Sequence, residues 1–381
     1  MSRVEGRWRA LGRVAVCAGL AATTWLGCAK PAPLRIGTSG DYAPFSKGGQ
    51  GFDVDVATLW AAQLGRPIEW VPFRWPELAQ REAHGDFDVA MSGVTWRADR
   101  DVHGWLSLAV GQGGPCWIGP AEPTSVAVNR GGVLEGFARA RFPQARIVAV
   151  DDNVSLPSLL ADGQVEAIVT DSFEIARFRR PGDTSLCVAE SFRKVYWVTP
   201  ARADELGPAL DGFLRGHEPE LRALREKWFG APLPRDATDD VVDLVARRLE
   251  LMEWVGAWKH VHGKPIEDLA QEARVLDAVG KRAGELGLEP DSVRRLFELE
   301  IALAKRIQSA SEQTVAPLDL DTELRPAIAR LSDRQLEALA RAAPIAPETF
   351  DPGALAPLAA LLTEDESAQL RSALAGVSRA K

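Results

Sequence analysis

The stretch VEAIVTDSFEIARF, residues 165–178, sets an apolar run, Val165 and Ala167 to Val169, against two carboxylates three positions apart, Asp171 and Glu174. A short apolar run bounded by polar residues reads as a buried strand, and the acids stand where that strand ends. The same alternation of strand and helix recurs outward from it, from about residue 33 to 228. LRIGTS (34–39), IEWVPF (68–73), FDVAMSG (87–93), SVAVN (125–129), RIVAV (146–150), AIVT (167–170) and KVYWVT (194–199) read as strands. VDVATLWAAQLG, WPELAQREAHG, GVLEGFARARF, VSLPSLLADG and ELGPALDGFLRG read as helices between them, several stopping at Gly. Such alternation defines an α/β half.

Within GAPLPRDATDD, residues 231–239 are expected to form a linker, and beyond it the strands stop. VVDLVARRLELMEWVGAWKHVHG, IEDLAQEARVLDAVGKRAGELG and PDSVRRLFELEIALAKRIQSASEQ carry apolar residues at helical spacing, with Gly or Pro breaks between them. LRPAIARLSDRQLEALARAA, LAPLAALL and ESAQLRSALAGV continue in the same way. A chain of 381 residues is long for one core. Two domains are therefore expected, an α/β domain at 33–230 and an all-helical domain at 240–381.

The formal net charge of -8 gives no basic footprint, so nucleic acid is not an expected partner, and small anions must be held by local Arg and Lys clusters. Residues 1–28, MSRVEGRWRALGRVAVCAGLAATTWLGC, place Arg3, Arg7, Arg9 and Arg13 before an apolar run from Val14 to about Leu26. That is the pattern of a secretory signal, too short for a permanent span, and it implies a periplasmic location. LGC followed by Ala29 is similar to a lipoprotein signal, which would acylate Cys28, although Trp25 stands where that motif has Leu. A lipid anchor at Cys28 and plain cleavage nearby both stay open. With Cys17 and Cys28 in the leader, Cys116 and Cys187 remain as an even pair, for which one disulfide is expected in an oxidising compartment. Neither has Cys or His at metal-ligand spacing, and His260 and His262 point to different sides of a helix, so no metal and no cofactor is expected.

On the first long helix Arg248 and Lys259 lie eleven residues apart, about three turns, and face the same way. Asp268, Gln271 and Glu272 share a face of the next helix, and the third carries Gln308. Spacing alone favours a solvated charged face. The segments RRLELMEWVGAWKHVHGKPIEDLAQE and SVRRLFELEIALAKRIQ, however, resemble the exported all-helical (gamma) class of chorismate mutase, over about 239–345. The resemblance implies that Arg248 and Arg325 bind substrate carboxylates and that Lys259 and Gln308 donate to the ether oxygen. Asp268 and Glu272 would hold the substrate hydroxyl and adjacent groups. It also implies a homodimer through the helices, with Arg325 completing each protomer's own site. Conversion of chorismate to prephenate is pericyclic and needs a clamped dicarboxylate with charge stabilised on the breaking C–O bond, which arginine and lysine supply. Gln271 stands where that class has another Arg, and Arg274 one turn on is the candidate replacement.

TSGDYAPFSKGGQGFDVDVATLWAAQLG and FDVAMSGVTWRADR resemble the two-lobed periplasmic solute-binding fold for polar amino acids, with lobe one at 33–113 and 190–230 and lobe two at 114–189. This implies that Arg100 grips an α-carboxylate, that Ser92 and Gly93 offer donors, and that Asp171 takes an amino or hydroxyl group. The acid pair in TDSFE, GDYAPF followed by FRWPEL, and VNRGG with an extra Cys pair narrow the resemblance to cyclohexadienyl dehydratase, an exported enzyme with this fold. In that enzyme's reaction, prephenate or arogenate loses water and carbon dioxide. Glu174 then matches its general acid, because a Glu among apolar walls keeps its proton near neutral pH. Trp75, with Phe45 and Phe173, is expected in those walls, and Asn129 and Lys194 as polar contacts, Lys194 tuning the acid. Val133 stands where relatives have a hydroxyl residue after GG. Taken alone, Glu174 also reads as a solvated acid in a helix's first turn.

Together these readings describe an exported bifunctional enzyme that takes chorismate to prephenate, and prephenate to phenylpyruvate or arogenate to phenylalanine. The alternative is an amino-acid or aromatic-acid receptor fused to a chorismate mutase, distinguished by tight binding without turnover. A further alternative is a mutase half made degenerate by Gln271 and kept as a regulatory or dimerising bundle.

Overall fold

The computed structural model describes residues 31–188, 192–231, 233, 235–311, 318–346, 355, 358–359 and 361–380. The expected leader, with Cys28, lies outside the described residues. Lobe one is built on a sheet ordered β2 (Ile68–Pro72), β1 (Leu34–Thr38), β3 (Val89–Ala90), β12 (Trp197–Val198), β4 (Trp105–Leu106). Lobe two has β10 (Ser185–Cys187), β6 (Pro115–Ile118), β9 (Ala167–Asp171), β7 (Ser125–Asn129) and β8 (Arg146–Val150). Between the sheets the chain crosses twice, as an antiparallel ribbon of β5 (Gly111–Gly113) and β11 (Phe192–Lys194). Helices α1 (Phe52–Leu64), α2 (Leu78–Ala83), α3 (Ala98–Asp101), α7 (Ala203–Gly216) and α8 (Glu218–Phe229) go with lobe one, and α4 (Val133–Arg141), α5 (Leu156–Ala161) and α6 (Ile175–Phe178) with lobe two.

β9 is buried along its whole length between β6 and β7, which explains its unbroken apolar character and delivers Asp171 at its carboxyl end. The expected strand KVYWVT is two strands. Lys194 closes the hinge ribbon and Trp197–Val198 enters the lobe-one sheet, because the chain changes sheets between them. Cys116 and Cys187 face each other on β6 and β10 and are bonded to one another.

The rest of the described chain is helical: α9 (Ala237–Val261), α10 (Leu269–Glu285), α11 (Pro290–Ala310), α12 (Arg325–Ala342) and α13 (Glu364–Ala375). α9 opens within the expected linker, capped by Asp236, whose carboxylate accepts from Thr238 and Asp239 while Asp239 reaches back to the Asp236 N–H. From Asp240 to Leu249 it is buried on all sides, Asp243 and Arg247 included, because lobe one packs against one flank and α11 and α12 against the other. Gly256 lets α9 and α11 meet at backbone contact: a Cβ there would lie 2.4 Å from the Gln308 carbonyl oxygen.

Candidate active sites

Between the lobes lies a cleft of about 60 Å³ lined by Trp75, Arg100, Asn129, Asp171, Glu174 and Lys194, with Tyr42, Thr95 and Val133 among the other walls. Gly93 has a φ of 64°, and the Tyr42 ring occupies the space a Cβ would need, so glycine is what allows the ring into the cleft. Asp171 Oδ1 accepts the backbone N–H groups of Phe173 (2.9 Å) and Glu174 (3.2 Å), which fixes the turn after β9. Its Oδ2 accepts from the Tyr42 hydroxyl and from Lys194 Nζ (2.9 Å). Lys194 Nζ also donates to Tyr42 (2.8 Å), Thr95 Oγ1 (3.1 Å) and the Gly93 carbonyl (3.2 Å). The lobes are thus latched across the cleft through Tyr42, Lys194 and Asp171.

Glu174 is 2% exposed, accepts from Thr170 Oγ1 at 3.0 Å, and has Arg177 at 3.6 Å. Burial, reinforced by the Asp171 charge, holds its pKa well above the ordinary carboxylate range against the opposing pull of Thr170, Arg177 and Lys194. A protonated carboxyl at a buried cleft wall is a proton donor. Arg100, fully buried, donates to the Thr95 carbonyl (2.8 Å) and lies over the Trp197 ring, and burial lowers its pKa to about 10. Two polar atoms at the cleft, Asn129 Nδ2 and Trp75 Nε1, are buried with no partner among the described residues, so both are available to a ligand.

Two sequence-based expectations for the cleft need correction. Ser92 does not line it: its hydroxyl turns into lobe one and pairs with the Ser39 N–H (3.0 Å) and the hydroxyls of Ser39 and Ser46. The Gly93 N–H is likewise taken, by Asp53 Oδ2 at 2.5 Å. Asp171, expected to take an amino or hydroxyl group, accepts here from Lys194 Nζ and the Tyr42 hydroxyl. Tyr42 lies in the quoted GDYAPF segment, but no local pattern shows that its hydroxyl reaches a strand 129 positions away.

The helical domain encloses a second cavity of about 320 Å³. Arg248, Lys259, Asp268, Glu272, Gln308 and Arg325 all line it, from α9, the start of α10, α11 and the start of α12. Asp268 is the N-cap of α10, accepting the Gln271 N–H (3.0 Å), with Arg325 at 4.0 Å. A π-type turn, Leu320–Leu324, leads into α12 and sets Arg325 at its first position. Lys259 donates to the Ile266 carbonyl (2.6 Å) and its pKa is lowered, by burial first. Arg248 is oriented by a fully buried acid that sequence reasoning missed, Glu300 (2.8 Å), with Gln335 behind it, and by Ser332 (3.1 Å). Gln308 sets its Nε2 against Met252 Sδ (3.6 Å), and its Oε1 is buried without a partner among the described residues. Arg274 does not line the cavity; it is exposed and holds Gln271 Oε1 (2.7 Å). The additional cations at the wall are Lys305, paired with Glu272 (3.1 Å), and Arg282, paired with Asp333 (2.6 Å).

Residues 34–231 match the family described as bacterial extracellular solute-binding proteins, family 3, over just over half of the chain. The chain belongs to that family. Residues 236–309 match chorismate mutase type II, so a family 3 solute-binding domain is fused to a chorismate mutase domain. Among curated relatives, a cyclohexadienyl dehydratase of Pseudomonas aeruginosa is 35% identical over 173 residues, 40% of this chain and 64% of that protein. A monofunctional chorismate mutase of Enterobacter agglomerans is 34% identical over 102 residues, 25% of this chain and 56% of that protein. A secreted chorismate mutase of Yersinia pestis is 34% identical over 105 residues, 26% and 56%. The chain thus spans less than two thirds of the length of each of these three relatives. Among solved structures, an ancestral amino acid-binding protein described as a precursor of cyclohexadienyl dehydratase is 26% identical, covering 52% of this chain and 95% of its own at a TM-score of 0.47.

Proposed function

We propose that the helical cavity converts chorismate to prephenate and that the inter-lobe cleft aromatises prephenate by loss of water and carbon dioxide. The observation that carries the reading is Glu174, a buried acid kept protonated at the wall of a ligand cleft. As the ring carboxylate leaves as carbon dioxide, its C–C electron pair moves into the ring and the C4–O pair departs with the hydroxyl. Glu174 gives that hydroxyl its proton, water leaves, and solvent reprotonates Glu174. The cleft is too small for a ring-bearing dicarboxylate, so the lobes must part at the Tyr42–Asp171 contact to admit it, with the Lys194–Asp171 pair kept.

A solute-binding receptor for amino acids needs a free carboxylate for the ligand's ammonium. Lys194 already neutralises Asp171 at 2.9 Å. This favours an enzyme over an amino-acid receptor, and the keto acid prephenate over arogenate. In the helical cavity, Lys259 and the Gln308 amide would meet the ether oxygen while Arg248 and Arg325 clamp the carboxylates, with Asp268 and Glu272 at the hydroxyl. We place the protein in the periplasm, with a lipid anchor at Cys28 and a homodimer through the helices as parts of the same reading. The family's extracellular description and the secreted mutase relative support export.

The test supplies chorismate to the chain lacking residues 1–28, and to its Glu174→Gln variant, and follows chorismate loss and phenylpyruvate formation separately. Wild type should form phenylpyruvate, and the variant should accumulate prephenate with aromatisation slowed about 10²–10⁴-fold. Aromatisation no faster than in buffer for both proteins would leave a binding domain attached to a mutase.

A further inference from the structure

The hinge strand β11 carries Arg193 and Lys194 on opposite faces. Lys194 points into the cleft, where four partners hold its ammonium between 2.8 and 3.2 Å. Arg193 points the other way, into the helical domain. It is 2% exposed, donates to Glu250 at 2.8 Å and lies 2.5 Å from Asp243, an ion pair without hydrogen-bond alignment. Both acids belong to α9, and the guanidinium also stacks on Trp96.

The chain leading from β4 to the other crossing is held by arginines of α8, α9 and α12. Arg247 donates to the Ser107 carbonyl (2.6 Å), Arg334 to that of Leu106 (2.9 Å), and Arg225 to that of Val110 (3.0 Å), just before β5. In a binding-protein fold these crossings are where the lobes pivot. Here the helical domain holds β11 through Arg193, and Arg247 and Arg334 hold the end of β4 ahead of β5. None of Arg193, Asp243 and Glu250 lines the cleft or the helical cavity.

We propose that Arg193 is a positioning residue for the inter-lobe site: through Asp243 and Glu250 the helical domain fixes the hinge strand and thereby places the Lys194 ammonium against Asp171 and Glu174. The proposal rests on the dehydratase reading. Adjacent residues of one strand share a backbone, so a shift at Arg193 carries Lys194 with it. A misplacement of about 1 Å in a catalytic arrangement costs about a hundredfold in rate.

Arg193→Met alone leaves Glu250 without its buried cation and so destabilises the fold. The informative variant is Arg193→Met/Glu250→Gln in the full chain, which removes one charge of each sign and leaves Asp243 paired with Arg247 at 3.5 Å, with Arg193→Lys as the conservative control. Three quantities are read: kcat and KM for prephenate from pH 5 to 9, chorismate consumption in the same sample, and amide hydrogen exchange over 110–114 and 192–196. The charges facing Glu174 are Asp171 from β9, Arg177 from α6 and Lys194 from β11. Those facing Lys194 are Asp171, Glu174 and, from α1, Asp53. Lys194 pulls the Glu174 pKa down. Moving it away raises that pKa, so the alkaline limb of aromatisation should shift to higher pH.

The double variant should show about tenfold faster hinge exchange, and kcat lowered about 10- to 100-fold with KM changed less than about threefold. Chorismate consumption should stay within about twofold, and Arg193→Lys should recover part of the loss. Unchanged hinge exchange, or faster exchange with kcat and the alkaline limb both unmoved, would overturn the proposal. Failure of the dehydratase reading shows separately, as a wild type that does not aromatise prephenate, and hinge exchange then decides whether the clamp exists.

Discussion

Replacing Gly256 by alanine tests the link between helix packing and the helical site. The new Cβ would sit 2.4 Å from the Gln308 carbonyl oxygen and 2.7 Å from its Cα, both backbone atoms that no side-chain rotation can move. Ordinary contact begins near 3.5 Å, so α9 and α11 must separate by about 1 Å. Overpacking of this kind costs about 1–3 kcal/mol, and alanine's better helix propensity returns about 0.5–1 kcal/mol, leaving a modest net loss of stability. The functional loss should be larger. Gln308 and Lys259 act from the two helices being pushed apart, and about 1 Å of misplacement lowers the rate about a hundredfold, or about 2.7 kcal/mol in the barrier. The assay is chorismate disappearance, with aromatisation of added prephenate by the same preparation as internal control. A kcat/KM for chorismate within about threefold of wild type would refute the assignment of Gln308 to the reacting bond.

Asp53 supports the cleft from below, accepting from the Gly93 N–H and the Tyr196 hydroxyl, and burial raises its pKa from 3.8 to about 7. Between those values the unfolded chain has released the proton that the folded chain keeps, so stability falls as pH rises through that window, by about 1.4 kcal/mol per unit and on the order of 4 kcal/mol in all. Denaturant melts of Asp53→Asn and wild type should therefore diverge in favour of the variant from pH 4 to pH 8, and parallel curves would contradict this. Lys259 is needed charged, and its lowered pKa means that mutase activity should fall on the alkaline side before an ordinary lysine would titrate. Lys259→Arg should carry whatever activity it retains to higher pH, as a pH–rate profile will show. Cys116–Cys187 closes a loop with a sequence separation of 71, for which chain entropy gives about 4 kcal/mol. Reduction should lower the melting temperature of the α/β domain while leaving chorismate turnover in place.

The strand–helix alternation around AIVTD and the helical period after residue 240 were readable because burial on both faces, or on one stripe, leaves a local imprint. The hinge ribbon was not: GQG has no strand propensity, and its pairing with FRK is imposed by the crossing of the chain between lobes. Arg248 and Lys259 could be placed together from helical spacing alone. The turning of Ser92 into lobe one, the latch at Tyr42 and the Glu300 support under Arg248 depend on residues tens of positions apart, where period carries no information. Asp243 and Arg247 carry no local signal of burial, and it is the docking of a second domain that makes them interior.

The strand order of lobe one bears on how the chain is made. β12, at residues 197–198, lies between β3 and β4, which emerge about ninety residues earlier. Until it arrives, the nascent sheet has a gap with two open hydrogen-bonding edges, while the whole of lobe two is synthesised in the interval. A product truncated before residue 197 would therefore retain a sticky, half-made lobe beside a finished one, whereas release after α8 would let both lobes close before the helical bundle appears.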